Sequence, residues 1–459
     1  MPFRFARTQV YPAGQGIPKT ELLSAMLSLM LGVSMSSLDT AIANTALPTI
    51  AHDLGTTEAM SVWVVSSYQL AMAACLLPLA GLGEIIGHRR VIMAGLILFS
   101  LASLLCGVSS SLEWLVVARV LQGIGGAALM SVNAAMVRFV FPANQLGRGI
   151  GINSLVVGVS FAAGPTIASL ILSLGSWHWL FWVNVPTGVL AIWLGLRSLP
   201  ATPRSEQRFD HVAGVLCSVF FALLIFTLNE AAHGAGWGPI GGEAVLTVIF
   251  LIGLLRRQKG MTAPVLAVDL LRRPLFALSS LTGMCSFATQ SLAFVSLPFL
   301  LQHMLGYSQI ETGFLITPWS VIVALAAPIA GRLSDRYSSA MLCGVGLALL
   351  CIGMVSLALL PAHPSVPDVV WRMLLCGAGF GFFQSPNLHA IMTSAPPERS
   401  GGASGMVGTV RLVGQSSGAA MVAACFHVSN VEGAWTALWL GAAFAGVASL
   451  VSFMRLQYR

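Results

Sequence analysis

Residues Leu22–Ile50 read LLSAMLSLMLGVSMSSLDTAIANTALPTI, an apolar run broken by one carboxylate, Asp39. About 20 apolar residues at roughly 1.5 Å each cross the hydrocarbon of a bilayer, so this stretch reads as a membrane helix. An acid at that depth costs on the order of 3 kcal/mol even on lenient insertion scales, and it usually faces a cavity. Asp39 is then either locked in a structural ion pair or serves a proton or a substrate. The sequence favours the second reading.

Outward from this helix, the rest of the chain has the same character. Of 459 residues, 56% are hydrophobic and only 8% charged, with a mean hydropathy of +0.84. A soluble domain carries about 25% charged residues, so the chain is an all-α polytopic membrane protein with the lipid bilayer as its solvent. The net charge of +7 is spread over short loops and does not mark a nucleic-acid binder. The eight cysteines fall singly inside apolar runs and read as small fillers, not disulfides or metal ligands. The first twenty residues are too polar for a signal peptide. Nothing resembles a GxxxxGK[ST] loop or an HExxH helix, so neither ATP nor a metal or other cofactor is expected, nor an enzymatic activity.

Apolar runs predict fourteen spans, near 22–48, 60–83, 91–109, 112–136, 149–172, 178–197, 211–230, 243–256, 274–300, 312–330, 340–361, 370–392, 402–425 and 434–454, the eighth being the shortest. With both termini in the cytoplasm, twenty of the 23 basic residues lie on that side and Arg372 alone lies outside. Arg119 and Arg411 fall within spans. That asymmetry sets the orientation. An internal repeat runs at an offset near 250: Leu47-Pro48 parallels Leu297-Pro298, Gly55–Trp63 parallels Gly306–Phe314, Tyr68 falls opposite Trp319, and Leu82–Glu84 parallels Leu333–Asp335. The expected organisation is a cytoplasmic N-terminus (1–21), a six-helix half (22–197), linkers with an extra helix pair (198–273), a second six-helix half (274–454) and a cytoplasmic C-terminus (455–459). Parallel halves of this kind belong to transporters more than to channels.

Four stretches carry a family resemblance. Helix 1 holds Leu38-Asp39-Thr40 with Asn44 and Ala46-Leu47-Pro48. The loop after helix 2 reads Ala80-Gly-Leu-Gly-Glu84-Ile-Ile-Gly-His-Arg89-Arg90, with a second copy at Gly331-Arg-Leu-Ser-Asp335-Arg336. Helix 4 holds Arg119, Gln122 and Gly123, and helix 5 holds Gly158, Gly164-Pro165, Ala168 and Ser169. These resemble the major facilitator superfamily, and within it the fourteen-helix drug:proton antiporter branch. The resemblance implies two six-helix halves around a central cavity, with an extra central helix pair. It also implies a bacterial cytoplasmic (inner) membrane, protons and a small-molecule substrate as partners, and a functional monomer. It makes Asp39 and Arg119 the proton-coupling pair, and gives Glu84, Arg89, Arg90, Asp335 and Arg336 a gating role with Gly158, Gly164 and Pro165 as helix-packing positions. Glu84 stands where the pattern has Asp, and Ile85 where it has Arg, which weakens the first gate loop.

Depth counting agrees with a pair. Asp39 lies roughly 25 Å from the cytoplasmic start of helix 1, and Arg119 roughly 10 Å from the external start of helix 4. In a core about 30 Å thick these depths nearly coincide. The candidate cavity lining is Asn44, Trp63, Tyr68, Gln69, Gln122, Asn133, Phe161, Phe287, Gln290, Phe294, Trp319, Phe383, Gln384, Asn387 and Arg411. Aromatics with a few amides suit flat apolar cations or neutral compounds. The sequence thus predicts a proton-coupled exporter of amphipathic cationic or neutral compounds. Its rival is an exporter of an endogenous acidic or zwitterionic metabolite, since Asp39, Arg119 and Arg411 together leave one positive charge. A non-transporting membrane sensor is a remote third. Arg411 decides between the transporters: either carbonyls and Gln415 satisfy it, or it meets an anion or Asp39.

Overall fold

The computed structural model describes residues 15–142, 146–202, 210–232, 237–259, 266, 268–334, 336–361, 363–395, 400–429 and 432–458. Backbone polar groups in hydrocarbon must be satisfied internally, and the described residues are helical apart from turns and one isolated bridge between Gln15 and Pro142. The long helices are α1 (Lys19–Asp53), α2 (Trp63–Ile86), α3 (His88–Cys106), α4 (Leu112–Val140), α5 (Leu146–Leu174), α6 (Asn184–Ser198), α7 (His211–Ala232), α8 (Trp237–Gln258), α9 (Pro274–Phe299), α10 (Gln309–Leu333), α11 (Ser339–Ala358), α12 (Val366–Ser394), α13 (Ser400–Ser429) and α14 (Gly433–Met454). Several outrun the expected spans, because helical hydrogen bonding continues into water after apolarity ends. The short eighth span is in fact a 22-residue helix. The sixth is broken, with a turn at Trp179–Trp182 leading into α6.

Among the described residues, thirteen helical stretches are long and apolar enough to cross a membrane. The exception among the expected fourteen is α13, which has 30 residues but carries Arg411, Gln415 and many Gly and Ser. Its polarity is tolerated because it lies between α2, α7, α9 and α14 instead of facing lipid.

The repeat is visible in the packing. α2 and α3 both lie on α4, as α10 and α11 lie on α12, while α1 packs on α5 and α6 as α9 packs on α13 and α14. After α1 and after α9 the chain turns through a left-handed glycine, Gly55 (φ 61) and Gly306 (φ 72), a conformation only glycine adopts without strain. Two residues on, Thr57 and Ser308 cap the next helical turn, Ser308 within a full capping box with Glu311. Gly123 on α4 sits against the Tyr68 carbonyl where a Cβ would be 2.4 Å away, and Gly377 on α12 meets the Trp319 carbonyl at 2.2 Å. The Tyr68–Trp319 equivalence is therefore structural.

The halves are closed at the end opposite the basic loops. There Gln309 Nε2 donates to Thr49 Oγ1 at 2.6 Å, Ser169 Oγ donates to the Gln309 carbonyl at 2.9 Å, and Thr166 meets Thr317. Glu58 Oε1 and His303 Nδ1 share a hydrogen bond across the same seam. At the basic end an open cleft separates Leu76, Glu84 and Arg138 from Asn387, Leu388 and Ile391. The extra pair lies outside the halves: α7 touches both α2 and α13, and α8 packs on α7.

Candidate functional site

Asp39 is 2% exposed and Arg119 fully buried. One carboxylate oxygen pairs with Arg119 Nη1. The other accepts from Gln122 Nε2 at 2.8 Å and from Asn184 Nδ2 at 3.2 Å. Arg119 Nε donates to the Val64 carbonyl at 2.9 Å, and its Nη1 also donates to Gln122 Oε1 at 2.6 Å. Gln122 Nε2 reaches Ser103 Oγ at 2.9 Å. The guanidinium lies 4.3 Å from the centre of the Tyr68 ring and 5.6 Å from that of Phe181. A buried ion pair persists only when its remaining polar atoms are also bonded, and this cluster meets that need except at Arg119 Nη2. The sequence missed Asn184, a single amide in an apolar run 145 positions from Asp39; no spacing rule links the two. Its one available signal is its place beside Pro186 at the break in the sixth span.

Tyr68 separates this cluster from the central cavity. Its hydroxyl is 2.9 Å from Ser36 Oγ, and both residues line a central chamber. Of the expected lining, Tyr68, Gln69, Phe161, Phe287, Gln290, Trp319, Gln384 and Arg411 face this chamber, as does Gly158. Phe383 and Asn387 line the wider cleft toward the basic end. Arg411, Phe287, Gln384 and Met130 border both, so the two spaces are continuous. Phe380 and Met72 also line the chamber and were missed, being indistinguishable in sequence from packing residues, and Gln415, expected only as a partner for Arg411, lines it too.

Other expected residues are elsewhere. Trp63 packs on Phe226 of α7, with ring centres 6.0 Å apart. Phe294 lies behind the wall, against Phe161 and Trp319. Asn133 donates to Asn153 Oδ1 at 2.7 Å, and Asn44 is buried with its Oδ1 unpartnered. Gly164 permits close approach, since a Cβ would sit 2.3 Å from the Ala41 methyl. Pro165, within α5, has its carbonyl 2.5 Å from where a Gly313 Cβ would be. Gly158 is no packing position: a Cβ there would meet nothing within 4 Å. In the gate loops, Glu84 and Arg336 are exposed and Arg89 Nη2 donates to the Leu196 carbonyl, with Arg90 exposed beside it. Asp335 lies outside the described residues. With the cleft open, Glu84 forms no ion pair among the described residues. Arg411 does not bond Gln415 or any carbonyl among the described residues, and its Nε is buried without a partner.

Two packed halves around a polar cavity, with a charged pair beside it, match a known pattern. The sequence pattern of the Major Facilitator Superfamily fits residues 29–419. The chain belongs to this superfamily. It is therefore a multi-pass membrane transporter and not an enzyme. The chain is 50% identical to the uncharacterized transporter YebQ of Escherichia coli K12, over 96% of this chain and 97% of that one. It is 31% identical to the riboflavin transporter RibZ of Clostridioides difficile over 88% of each, and 32% identical to the multidrug resistance protein Stp of Mycobacterium tuberculosis over 88% and 75%. Among solved structures it resembles a bacterial homologue of the human lysosomal transporter Spinster in its inward-facing, unoccupied conformation. The TM-score is 0.69 at 16% identity, over 96% of this chain and 98% of that one. That likeness is one of fold.

Proposed function

We propose that the protein is a proton-coupled exporter of amphipathic small molecules in a bacterial cytoplasmic membrane, working as a monomer. The observation that carries this reading is Asp39, buried in a span and bonded to Arg119, Gln122 and Asn184, with Tyr68 as the wall between it and the cavity. Arg119 cannot shed its proton in a protein, so protonation falls on Asp39. A neutral Asp39 gives up its charge attraction for Arg119 and loosens α1 from α4. That change is of the kind that biases alternating access.

The basic end belongs to the cytoplasm by the charge rule, so the open cleft loads substrate from inside. Protons then enter from the outer face once the halves rock. Relatives named for multidrug resistance favour export, as does the aromatic chamber. The single chain holds every element of the site, so no second copy is required.

The test is substrate-dependent proton movement in proteoliposomes, run with cationic, neutral and anionic aromatic compounds. Wild-type protein is expected to move protons only when a substrate is present on the opposite side. Asp39→Asn is expected to insert, with a lowered melting temperature because Arg119 loses its charge partner, and to lose coupling entirely. Continued uphill transport by that variant would refute the assignment.

A further inference from the structure

The central chamber carries a positive charge that the protein does not neutralise. The only carboxylate in a described span at this depth, Asp39, has both oxygens occupied by Arg119, Gln122 and Asn184 and does not line the chamber. No acidic residue is among the chamber's lining. Arg411, from α13, borders both the chamber and the cleft below it. Among the described residues it has no ion pair, and its buried Nε has no hydrogen-bond partner. An unpaired guanidinium at a cavity wall repels cations and leaves its donors free for an anion. The lining is also aromatic, with Phe161, Phe287, Trp319 and Phe380 facing the same space.

We propose that Arg411 is an anion subsite, and that the transported compound is a flat aromatic body bearing one carboxylate or phosphate. The inference rests on the export reading for its place in a transport cycle, but the subsite itself does not need proton coupling. The guanidinium fork takes a carboxylate or phosphate through two parallel N–H donors, while the aromatic faces cover the body. A lipophilic cation of the same size meets an uncompensated positive charge at the chamber wall and no free carboxylate. The proposal thus takes up the acidic rival to the cationic or neutral compounds expected from sequence.

The probes are three pyrene derivatives of matched size: pyrenebutyrate, pyrenebutanol and pyrenebutyl-trimethylammonium. Their binding to purified full-length protein is followed by energy transfer from tryptophan. Wild type is expected to bind the carboxylate most tightly. Arg411→Gln is expected to lose about a hundredfold for the carboxylate, with the alcohol shifting less than about threefold. Arg411→Lys should recover part of the loss, because an ammonium keeps the charge without the fork. Equal binding of the carboxylate by wild type and Arg411→Gln overturns the subsite, as does a wild-type preference for the trimethylammonium. Proton movement measured with the same three compounds separates the two ideas. A carboxylate-selective loss in Arg411→Gln without proton movement in wild type keeps the subsite and sinks proton-coupled export. Proton-coupled transport unaffected by Arg411→Gln does the reverse.

Discussion

Asp39 and Arg119 illustrate what removing one half of a buried pair does. Arg119→Ala leaves a carboxylate in hydrocarbon with only two neutral amide donors, Gln122 and Asn184. Losing one partner of a buried ion pair costs roughly 3–5 kcal/mol, whereas removing both charges is often near neutral. Arg119→Ala is therefore expected to melt well below wild type in detergent, and Asp39→Asn combined with Arg119→Ala to regain much of the loss. A double variant no more stable than the single one would count against the pair as the source of the effect. Asn184→Ala is expected to change the pH profile of transport without abolishing it; an unchanged profile would exclude Asn184 from the coupling site. The pair itself was legible in sequence, because a charge in a span needs a partner at its own depth and only two cations lie within spans. Asn184 was not, since a neutral amide in an apolar run carries no such demand. Trp63 was misplaced for a related reason: in a bundle apolar on every face, periodicity does not tell the cavity side of α2 from the side under α7.

Where α5 meets α10, backbones approach as closely as they do because of one glycine. A Cβ on Gly313 would lie 1.8 Å from Ser169 Oγ and 2.5 Å from the Pro165 carbonyl, so a bulkier residue must push the helices apart. Gly313→Val is expected to open the closed end, opposite the basic loops. Labelling of a Gln309→Cys probe by a membrane-impermeant thiol reagent should then rise several-fold over the same probe with Gly313 intact; equal labelling would refute that closure role. The sequence pointed to close packing around Gly164-Pro165 on α5, but not to Gly313 as its partner, which follows only from how the halves meet. A different contact governs α7 and α8, where Arg257 Nε donates to Asp210 Oδ2 at 2.9 Å. That hydrogen bond holds the Asp210 carboxyl below its ordinary value of 3.8. A depressed carboxylate contributes above its unfolded pKa and is lost only as pH falls through the folded one. The clasp is thus intact throughout pH 5–8, and Arg257→Gln should leave the pH profile of transport over that range unchanged. A shifted profile would show that the extra pair takes part in proton coupling.

At the level of the whole molecule, the halves were readable from the repeat, down to Gly55 and Gly306, while the position of the extra pair was not. Its sequence is uniformly apolar, and only the structure places α7 across the α2–α13 seam, with α8 on the lipid side. Phe221 on α7 is 4% exposed, and Ile249 on α8 is 55% exposed. Phe221→Ala is therefore expected to destabilise by about 3 kcal/mol and Ile249→Ala by almost nothing, read as thermal melting in detergent. Comparable effects would mean that α8 has a protein neighbour in the membrane. The polarity of α13 matters for a stage before the folded state exists. A helix carrying an arginine near its middle, which costs roughly 2.5–3.5 kcal/mol at the bilayer centre on insertion scales, is a poor substrate for autonomous membrane integration. Since α2, α7 and α9 precede it in synthesis, α13 is positioned to enter the bilayer against helices already there, and its topology is set by assembly and not by its own hydropathy. A reporter fused after Ser429 should accordingly reach the outer face from the full preceding chain, but fail to do so when α13 is offered alone, unless Arg411 is replaced by leucine.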